Sequence, residues 1–467
     1  MQAARSLTEG SISSGLVRFA LPILFANMLQ SLYGSVNSIW VGRFLGEAAL
    51  TATSNANTVM FLLIATAFGI AMAATILIAQ HIGARNLTEA KRIVGTSASF
   101  FAAISVAMAI AGLLLSRPLL VAMKTPPDAL ALAVAYMRVI FLALPCLYMY
   151  AFVMSVLRGA GDSRTPFFFM LLSVTIDIVL NPVFIFGIGP VPRLGIAGSA
   201  LATFISQAVS LSALIHHLYR RNHMLVLHRS ELRLLRVDWP VVAALIRKGI
   251  PVSAQMLVVS LSAILMISIV NRLGVDTAAA FGASLQLWNY IQMPAFAVGM
   301  AVSSMAAQNV GAGKWDRVNA IARIGVLYSL ALTGSVVLLL QVLDSHAYAL
   351  FLSDQSAAML AAHPLNRIAT SSFVFFGISL TLFGVVRATG AVIAPLVCLT
   401  LALLVVRIPL AAVLLGHFGA PGLWWSFPLS SALGALLAWL YYRYGGWRSA
   451  QFMPTRPSAA TASMEPS

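Results

Sequence analysis

The apolar residues of this chain fall in long runs, and about twelve of these runs reach the ~20 residues that a helix needs to cross a bilayer. They cover residues 16–40, 52–79, 93–115, 131–156, 165–187, 194–219, 249–271, 279–306, 318–342, 364–386, 392–415 and 421–442. Transmembrane barrels are excluded, because their strands alternate in polarity over ~10 residues. The pattern predicts an all-α membrane protein with about twelve transmembrane helices.

The second half of the chain repeats short stretches of the first half. Leu21-Pro22 returns as Ile250-Pro251, at an offset of 229 (251 − 22), and the stretch RGAG at 158–161 returns as RATG at 387–390 with the same offset. The stretch AQHIGA at 79–84 returns as AQNVGA at 307–312, at an offset of 228 (307 − 79). Six spans, an even number, lie in each half, so both halves enter the membrane from the same side. The repeat predicts two six-helix bundles around a cavity.

The domain organisation follows from these spans. We expect a polar N-terminal segment at 1–15, an N-terminal lobe at 16–219 and a C-terminal lobe at 249–445. A basic link at 220–248 joins the lobes, and a tail at 446–467, rich in Ser, Ala, Pro and Thr, is expected to be disordered.

The composition and the placement of charge exclude two classes of protein. The chain is 60% hydrophobic and 9% charged, which is outside the soluble globular range. Of the 29 Lys and Arg residues, 21 lie at the N-terminus, the even-numbered links and the C-terminal end, and five lie in the odd-numbered links. The net charge of +16 therefore orients the chain in a lipid bilayer and does not indicate nucleic-acid binding. The bias predicts a multi-pass protein of the plasma (inner) membrane with both termini in the cytoplasm.

The fifth span carries the clearest candidate for chemistry. Asp177 is the only one of the 13 acidic residues that lies deep in an apolar span, and Asn181 follows one helical turn later on the same face. A carboxylate at that depth costs ~2.5–3.5 kcal/mol on insertion scales and usually marks an ion or proton pathway. The alternative is a carboxyl group that stays protonated and bonds a neighbouring helix.

The candidate energy source is an ion gradient. The chain has no phosphate-binding G-x-x-x-x-G-K-[ST] loop, no paired-Asp motif and no H-E-x-x-H zinc motif, and its two cysteines, Cys146 and Cys398, lie in separate apolar segments. We therefore expect no cofactor and no resident metal, with H⁺ or Na⁺ as the coupling ion. Na⁺ prefers several oxygen ligands with fixed negative charge, so a lone carboxylate favours H⁺, and Na⁺ at Asp177 is the alternative.

Several stretches resemble one transporter family. They are PILFANMLQSLYGSVNSIWVGRFLG in the first span, VLRGAGDSRTPFFFMLLSVTIDIVLNPVFIFG around the fifth, GIAGSALAT opening the sixth and MAAQNVGAGKWDRV ending the eighth. They resemble the multidrug and toxic-compound extrusion (MATE) transporters over about residues 16–445. The resemblance implies a V-shaped, two-lobed fold that exports cationic, amphipathic compounds in exchange for Na⁺ or H⁺ by alternating access.

The resemblance also implies where coupling takes place. It supports a site in the N-terminal lobe built on Asp177, Asn181 and Asn37. Many members of the family carry Asp where this chain has Asn37, and many place Asn before Asp in the fifth span. The acidic residue that one subgroup carries in the seventh span is replaced here by Val258 and Val259.

Uncharged polar residues within spans are candidates for the substrate cavity or for interhelical hydrogen bonds. The candidates are Gln30, Tyr33, Gln207, Gln255, Gln286 and Asn289. Arg407 lies inside the eleventh span with no acid nearby in sequence. We expect it to snorkel or to bond freed backbone carbonyls, with anion binding as the alternative.

Two other functions fit the pattern less well. A flippase for lipid-linked precursors would present several cavity cations to a diphosphate, and only Arg138, Arg367 and Arg407 are available for that role. A membrane-embedded enzyme would need a convergent set of His, Asp or Glu residues. We therefore expect a monomeric transporter, and no enzyme.

Overall fold

The first half of the chain forms six long helices, in agreement with the apolar runs. The computed structural model describes residues 7–189, 192–353 and 356–450. The helices are α1 (Ile12–Leu45), α2 (Glu47–Gly83), α3 (Leu87–Ala122), α4 (Pro127–Gly159), α5 (Arg164–Phe186) and α6 (Ile196–Arg220). They make up the N-terminal lobe.

The second half forms the C-terminal lobe from helices that are more often interrupted. They are α7 (Trp239–Val270), α8 (Val275–Ile291), α9 (Met293–Gly311), α10 (Trp315–Val342), α11 (Asp344–Ala349), α12 (Ala357–Ala369), α13 (Ser372–Arg387), α14 (Ile393–Thr400) and α15 (Arg407–Tyr444). Pro294 lies in the first turn of α9, just after the break from α8, where proline is tolerated because an N–H group there has no partner within the helix. A π-helical segment at Leu401–Val406 joins α14 to α15.

The described residues contain eleven helical stretches long and apolar enough to span a membrane. The last of them, Ile393–Tyr444, is 52 residues long and includes the final two predicted spans. Gly419, with φ 65° and ψ −154°, separates these two crossings in a left-handed region that glycine tolerates. The prediction of an all-α fold with about twelve transmembrane helices, arranged as two parallel six-helix bundles in a V, is confirmed.

The two lobes pack through α2 against α7 and α9, and through α1 against α9. At one end of this interface the helix ends approach so closely that only glycine fits. A Cβ atom on Gly83 would lie 1.8 Å from the carbonyl oxygen of Gln308, and one on Gly311 would lie 1.9 Å from that of Gln80. The same contact is thus made twice, once from each lobe.

The side chains of these glutamines complete a symmetric contact. Gln80 Nε2 donates to the carbonyl oxygen of Ala388 at 2.6 Å, and Gln308 Nε2 donates to that of Gly159 at 2.9 Å. Gln80 thereby reaches the residue just after α13, and Gln308 reaches the last residue of α4, each in the opposite lobe. We call Gln80, Gly83, Gln308 and Gly311 the interlobe latch. It lies on the side of the molecule that carries the 220–248 link, which we call the basic side.

The N-terminal segment adds to the closure of the basic side. Leu7 N–H donates to Gln308 Oε1 at 3.1 Å, and Lys314 Nζ donates to the carbonyl oxygen of Thr8 at 3.0 Å. The predicted segment 1–15 therefore ends in the first turn of α1, which begins at Ile12, and residues 1–6 lie outside the described chain.

The basic link is shorter than predicted and is bound to the N-terminal lobe. It contains one 3₁₀ helix, Arg229–Leu235, and α7 begins at Trp239, ahead of the predicted lobe boundary at 249. Lys91 Nζ pairs with Glu231 at 2.7 Å, and Arg92 pairs with Asp238. The hydrogen bond from Lys91 is the main reason that the pKa of Glu231 lies below its ordinary value.

The C-terminal tail is ordered further than predicted. Gly446–Ser449 forms a 3₁₀ turn, and its Trp447 is fully buried, with Nε1 donating to the carbonyl oxygen of Tyr442 at 2.7 Å. Burial of this large ring explains why the disorder predicted from residue 446 does not begin there. Residues 451–467 lie outside the described chain.

Candidate functional site

The N-terminal lobe contains a cavity of about 300 Å³ that α1, α2, α4, α5 and α6 line. Four predicted residues lie on its wall, namely Gln30, Tyr33, Asp177 and Gln207. Of the predicted ion-coupling residues, Asp177 alone borders the cavity, and Asn37 and Asn181 lie outside its lining.

Asp177 and Asn181 form a buried cluster of hydrogen-bond acceptors. Their exposed fractions are 2% and 1%. No donor of the described chain makes a hydrogen bond of good geometry to either carboxyl oxygen of Asp177 or to Asn181 Oδ1, although the hydroxyl groups of Tyr33 and Thr203 lie close to the carboxyl group. Asp177 lies ~20 Å along α5 from Arg164, its first residue, which places the carboxyl group well inside the span. Such buried acceptors are costly unless a proton or a cation satisfies them.

The hydroxyl groups beside Asp177 are already engaged with each other. Thr203 Oγ1 donates to the carbonyl oxygen of Ser199 at 3.2 Å, so Tyr33 is the donor in its 2.8 Å bond with Thr203. Tyr33 and Tyr136 both lie within electrostatic range of the carboxylate. Both tyrosines are uncharged hydroxyl groups, so neither neutralises an ionised Asp177.

Asn37 lies outside the cavity lining and is hydrogen-bonded to Ser199. Its Oδ1 accepts from Ser199 Oγ at 2.7 Å, and its side chain also contacts Tyr136. The structure therefore brings the three predicted coupling residues into one lobe, and it adds Tyr136, Ser199 and Thr203, which the sequence did not single out. Serine, threonine and tyrosine are common in apolar spans, so nothing in their spacing marks them.

The C-terminal lobe contains a second cavity, of about 400 Å³, with a different lining. Gln255 and Asn289 border it, as predicted, and so do Arg387 and Arg407. Gln255 also orients Arg387, because its Oε1 accepts a hydrogen bond from Arg387 Nη1 at 2.9 Å.

Gln286 is the predicted cavity residue that neither of these two cavities includes. It is exposed on α8 and lines neither cavity. A single polar residue in a span does not indicate which face of the helix its neighbours cover. Here Gln286 lies on a face that the neighbouring helices leave exposed.

Two arginines that the sequence placed in links lie on cavity walls. Arg158 borders the N-terminal cavity, where Nη2 donates to Ser155 Oγ at 2.7 Å, and Arg387 borders the C-terminal cavity. In contrast, Arg138 and Arg367, which lie within predicted spans, are exposed. The internal repeat is the sequence feature that could have identified these two arginines, because Arg158 and Arg387 are equivalent at the repeat offset (387 − 158 = 229).

Two side chains separate the cavities. Phe68 of α2 and Met300 of α9 line both of them. The lobes thus hold two chambers on either side of an apolar partition, one with Asp177 and Arg158 on its wall and one with Arg387 and Arg407.

The described residues include no cluster of three or more His, Cys, Asp or Glu side chains that could hold a metal ion. At Asp177, Na⁺ would find one carboxylate and Asn181 Oδ1, while Asn37 Oδ1 already accepts a hydrogen bond. This donor set is small for Na⁺ and sufficient for one proton.

Comparison with known proteins agrees with this architecture. The MatE family model matches twice, over residues 22–183 and 251–413. The chain belongs to the MATE family of efflux transporters. The starts of the two matches differ by 229 (251 − 22), the same offset as the repeated motifs.

Individual MATE-family proteins match nearly the whole chain. The probable multidrug resistance protein YoeA of Bacillus subtilis (strain 168) is 36% identical over 447 residues, covering 95% of this chain and 96% of that protein. The probable multidrug resistance protein NorM of Thermotoga maritima is 25% identical, covering 93% of each. A multidrug resistance MATE family transporter in an outward-facing conformation superposes with a TM-score of 0.87 at 21% identity, covering 95% and 97%. The relatives are transporters, so the enzyme alternative is excluded.

Proposed function

We propose that this MATE transporter is a secondary antiporter that exports cationic, amphipathic compounds in exchange for protons bound at Asp177. The observation that supports it best is the buried cluster of three acceptor atoms on Asp177 and Asn181, in contact with a cavity large enough for a drug-sized ring system. The names of the relatives, probable multidrug resistance proteins, support drug-like substrates.

The exchange follows from electrostatics. If proton and substrate compete for one carboxylate, the site holds either a neutral acid or a carboxylate–cation pair. Neither state leaves a bare charge in the low-dielectric cavity, so each is favoured over the empty, ionised site. One monovalent cation leaves for each proton that enters, and the pH difference drives the cycle without a contribution from the membrane potential.

The orientation is part of the proposal. The link at 220–248, the N-terminal segment and the interlobe latch lie on the basic side, which we assign to the cytoplasm by the positive-inside rule. In this assignment the structure is closed towards the cytoplasm, and we place the monomeric protein in the plasma (inner) membrane.

Replacing Asp177 by Asn tests the mechanism, because it keeps the shape of the side chain and removes its titration. The variant should fold and insert normally, yet lose efflux of a cationic dye such as ethidium from energised vesicles. Adding dye to weakly buffered, purified wild-type protein should release protons, and adding it to the variant should release none.

The matched control is Asp276→Asn, which removes an exposed carboxylate at the start of α8 and should leave efflux at the wild-type rate. Wild-type efflux by Asp177→Asn would contradict the proposal. So would efflux that follows a Na⁺ gradient and ignores pH.

A further inference from the structure

The C-terminal cavity contains donors that lack acceptors, the reverse of the N-terminal site. Arg387 is 8% exposed, and its Nε has no acceptor in the described chain. Trp288, which is 5% exposed and lines the same cavity, has an indole Nε1 that likewise finds no acceptor among the described residues. Leaving such donors unpaired in an apolar setting is costly, so a ligand that supplies acceptors is favoured there.

Arg407 is a second cation on the wall of this cavity. Its Nε donates to Ser430 Oγ at 2.8 Å, its Nη2 donates to Ser431 Oγ at 3.0 Å, and its guanidinium carbon lies 5.0 Å from the centre of the Phe427 ring. Guanidinium has five N–H groups, and these two bonds leave others for a ligand. Both serines are neutral, so they orient the guanidinium without compensating its charge.

Within the described part of the chain, no carboxylate neutralises these two arginines. The lining of the cavity includes no Asp or Glu, and the five ion pairs among the described residues do not involve Arg387 or Arg407. A buried cation without a partner is as costly as a buried anion without one.

The repeat places Arg407 within one residue of the position equivalent to Asp177. Helix α14 begins at Ile393 and α5 begins at Arg164, which is again an offset of 229 (393 − 164). Counted from these starts, Asp177 lies at offset 13 (177 − 164) and Arg407 lies at offset 14 (407 − 393). The π-helical segment at 401–406, which immediately precedes Arg407, accommodates this difference of one, since π segments carry an extra residue per turn. The two lobes therefore place opposite charges at nearly the same depth.

Aromatic rings line the same cavity, and the ring of Phe427 lies against Arg407. The ring centre of Trp288 lies 5.2 Å from that of Phe427 and 5.5 Å from that of Phe373, and Phe281 lies 5.6 Å from Trp288. All four line the cavity. A flat apolar body would fit against this wall while an acidic group reaches the guanidinium.

We propose that the C-terminal cavity binds amphipathic organic anions, with an aromatic or similarly apolar body against these rings and a carboxylate, sulfonate or phosphate on Arg407. This goes beyond the proposed antiport at Asp177, because it gives the second lobe a ligand class of opposite charge. Arg387 raises the positive potential of the same cavity.

The experiment compares three probes that share one body and differ in charge. They are 1-pyrenebutyrate, 1-pyrenebutanol and (4-pyrenylbutyl)trimethylammonium. Each is titrated against the full-length protein in phosphatidylcholine nanodiscs, with protein-free nanodiscs as the blank. The wild type should bind the butyrate at least tenfold more tightly than the alcohol.

Substitutions at Arg407 identify the group that selects the anion. Arg407→Gln should weaken butyrate binding at least tenfold and leave the alcohol within twofold of its wild-type affinity. Arg407→Lys should restore part of the preference, because it keeps the charge and loses the planar fork. The control Arg367→Gln removes an exposed cation of the same lobe and should change nothing.

Two results would overturn the inference. Equal affinity of the wild type for butyrate and alcohol would mean that the cavity does not select anions. Equal weakening of both probes by Arg407→Gln would mean that the arginine only ties its helix to Ser430 and Ser431. The titration uses no ion gradient, so its failure leaves the antiport proposal untouched, and loss of antiport would leave this result standing.

Discussion

The interlobe latch predicts that a single methyl group will open the basic side. In Gly311→Ala, the new Cβ would lie 1.9 Å from the Gln80 carbonyl oxygen and 2.6 Å from its carbon. Real Cβ atoms do not approach closer than about 3.0 Å, and both neighbours are backbone atoms that cannot rotate away. The ends of α2 and α9 must therefore separate by more than about 1 Å, the shortfall between these distances.

That separation breaks the hydrogen bonds that close the latch. The bonds from Gln80 to Ala388 and from Gln308 to Gly159 contribute ~0.5–1.5 kcal/mol each, so the closed state loses ~1–3 kcal/mol. A change of that size shifts a two-state equilibrium roughly 5–150-fold. Alanine in a helix is intrinsically better than glycine, so the loss comes from the interface and not from the helix itself.

Distances between spin labels on the two lobes measure this shift. Thr88 and Asp316 are exposed and equivalent in the repeat (316 − 88 = 228), so labels at Thr88→Cys and Asp316→Cys, in a background with Cys146 and Cys398 replaced by Ala, report the separation. Gly311→Ala should add or enlarge a long-distance population.

A glycine with free space around it provides the control for this substitution. Gly334→Ala in α10 should leave the distances unchanged, because no described atom lies within 4 Å of its added Cβ. A distance distribution in Gly311→Ala that matches the wild type would refute the reasoning.

Three further predictions concern the edges of the molecule. Ser230→Cys in the link should resist labelling from outside intact cells and react in inverted vesicles, and the reverse result would overturn the assigned orientation. Trp447→Ala should lower the unfolding temperature of the purified protein, since removing a buried Trp costs ~3–5 kcal/mol, whereas the half-exposed Trp439→Ala should change it little. Because the pKa of Glu231 is depressed in the folded protein, its contact with Lys91 stabilises the docked link at pH values above the ordinary glutamate pKa, and this stabilisation is lost as the pH falls through the lower folded pKa. Lys91→Met should raise the pKa of Glu231. A fluorophore at the exposed Leu232 should therefore report release of the link at a higher pH than in the wild type.

The sequence predicted the features that depend on local pattern. Apolar runs of about twenty residues identify the spans without tertiary information, and a single deep acid is informative because it is so costly in an apolar setting. Asp177 therefore emerged from the sequence alone, together with the polar residues of its own helix.

The features that the sequence missed depend on tertiary packing. Arg158 and Arg387 follow apolar runs and look like link residues, and only the packed lobes show that they turn inwards. Gln286 shows the opposite case, because a polar group in a span also occurs on an exposed face away from these two cavities. Trp447 follows a run of glycine and polar residues, and its burial depends on Tyr442, which belongs to the preceding helix.

The near-equivalence of Asp177 and Arg407 has an electrical consequence. Two opposite charges at nearly equal depth in neighbouring lobes form a dipole that lies in the plane of the membrane. A transmembrane voltage acts along the membrane normal, and the work it does on a charge depends on that charge's depth, at ~2.3 kcal/mol per elementary charge and 100 mV for a full crossing. Displacing both residues together along the normal therefore moves almost no net charge. While Asp177 is ionised, the resting voltage therefore does almost no net work on this pair of charges.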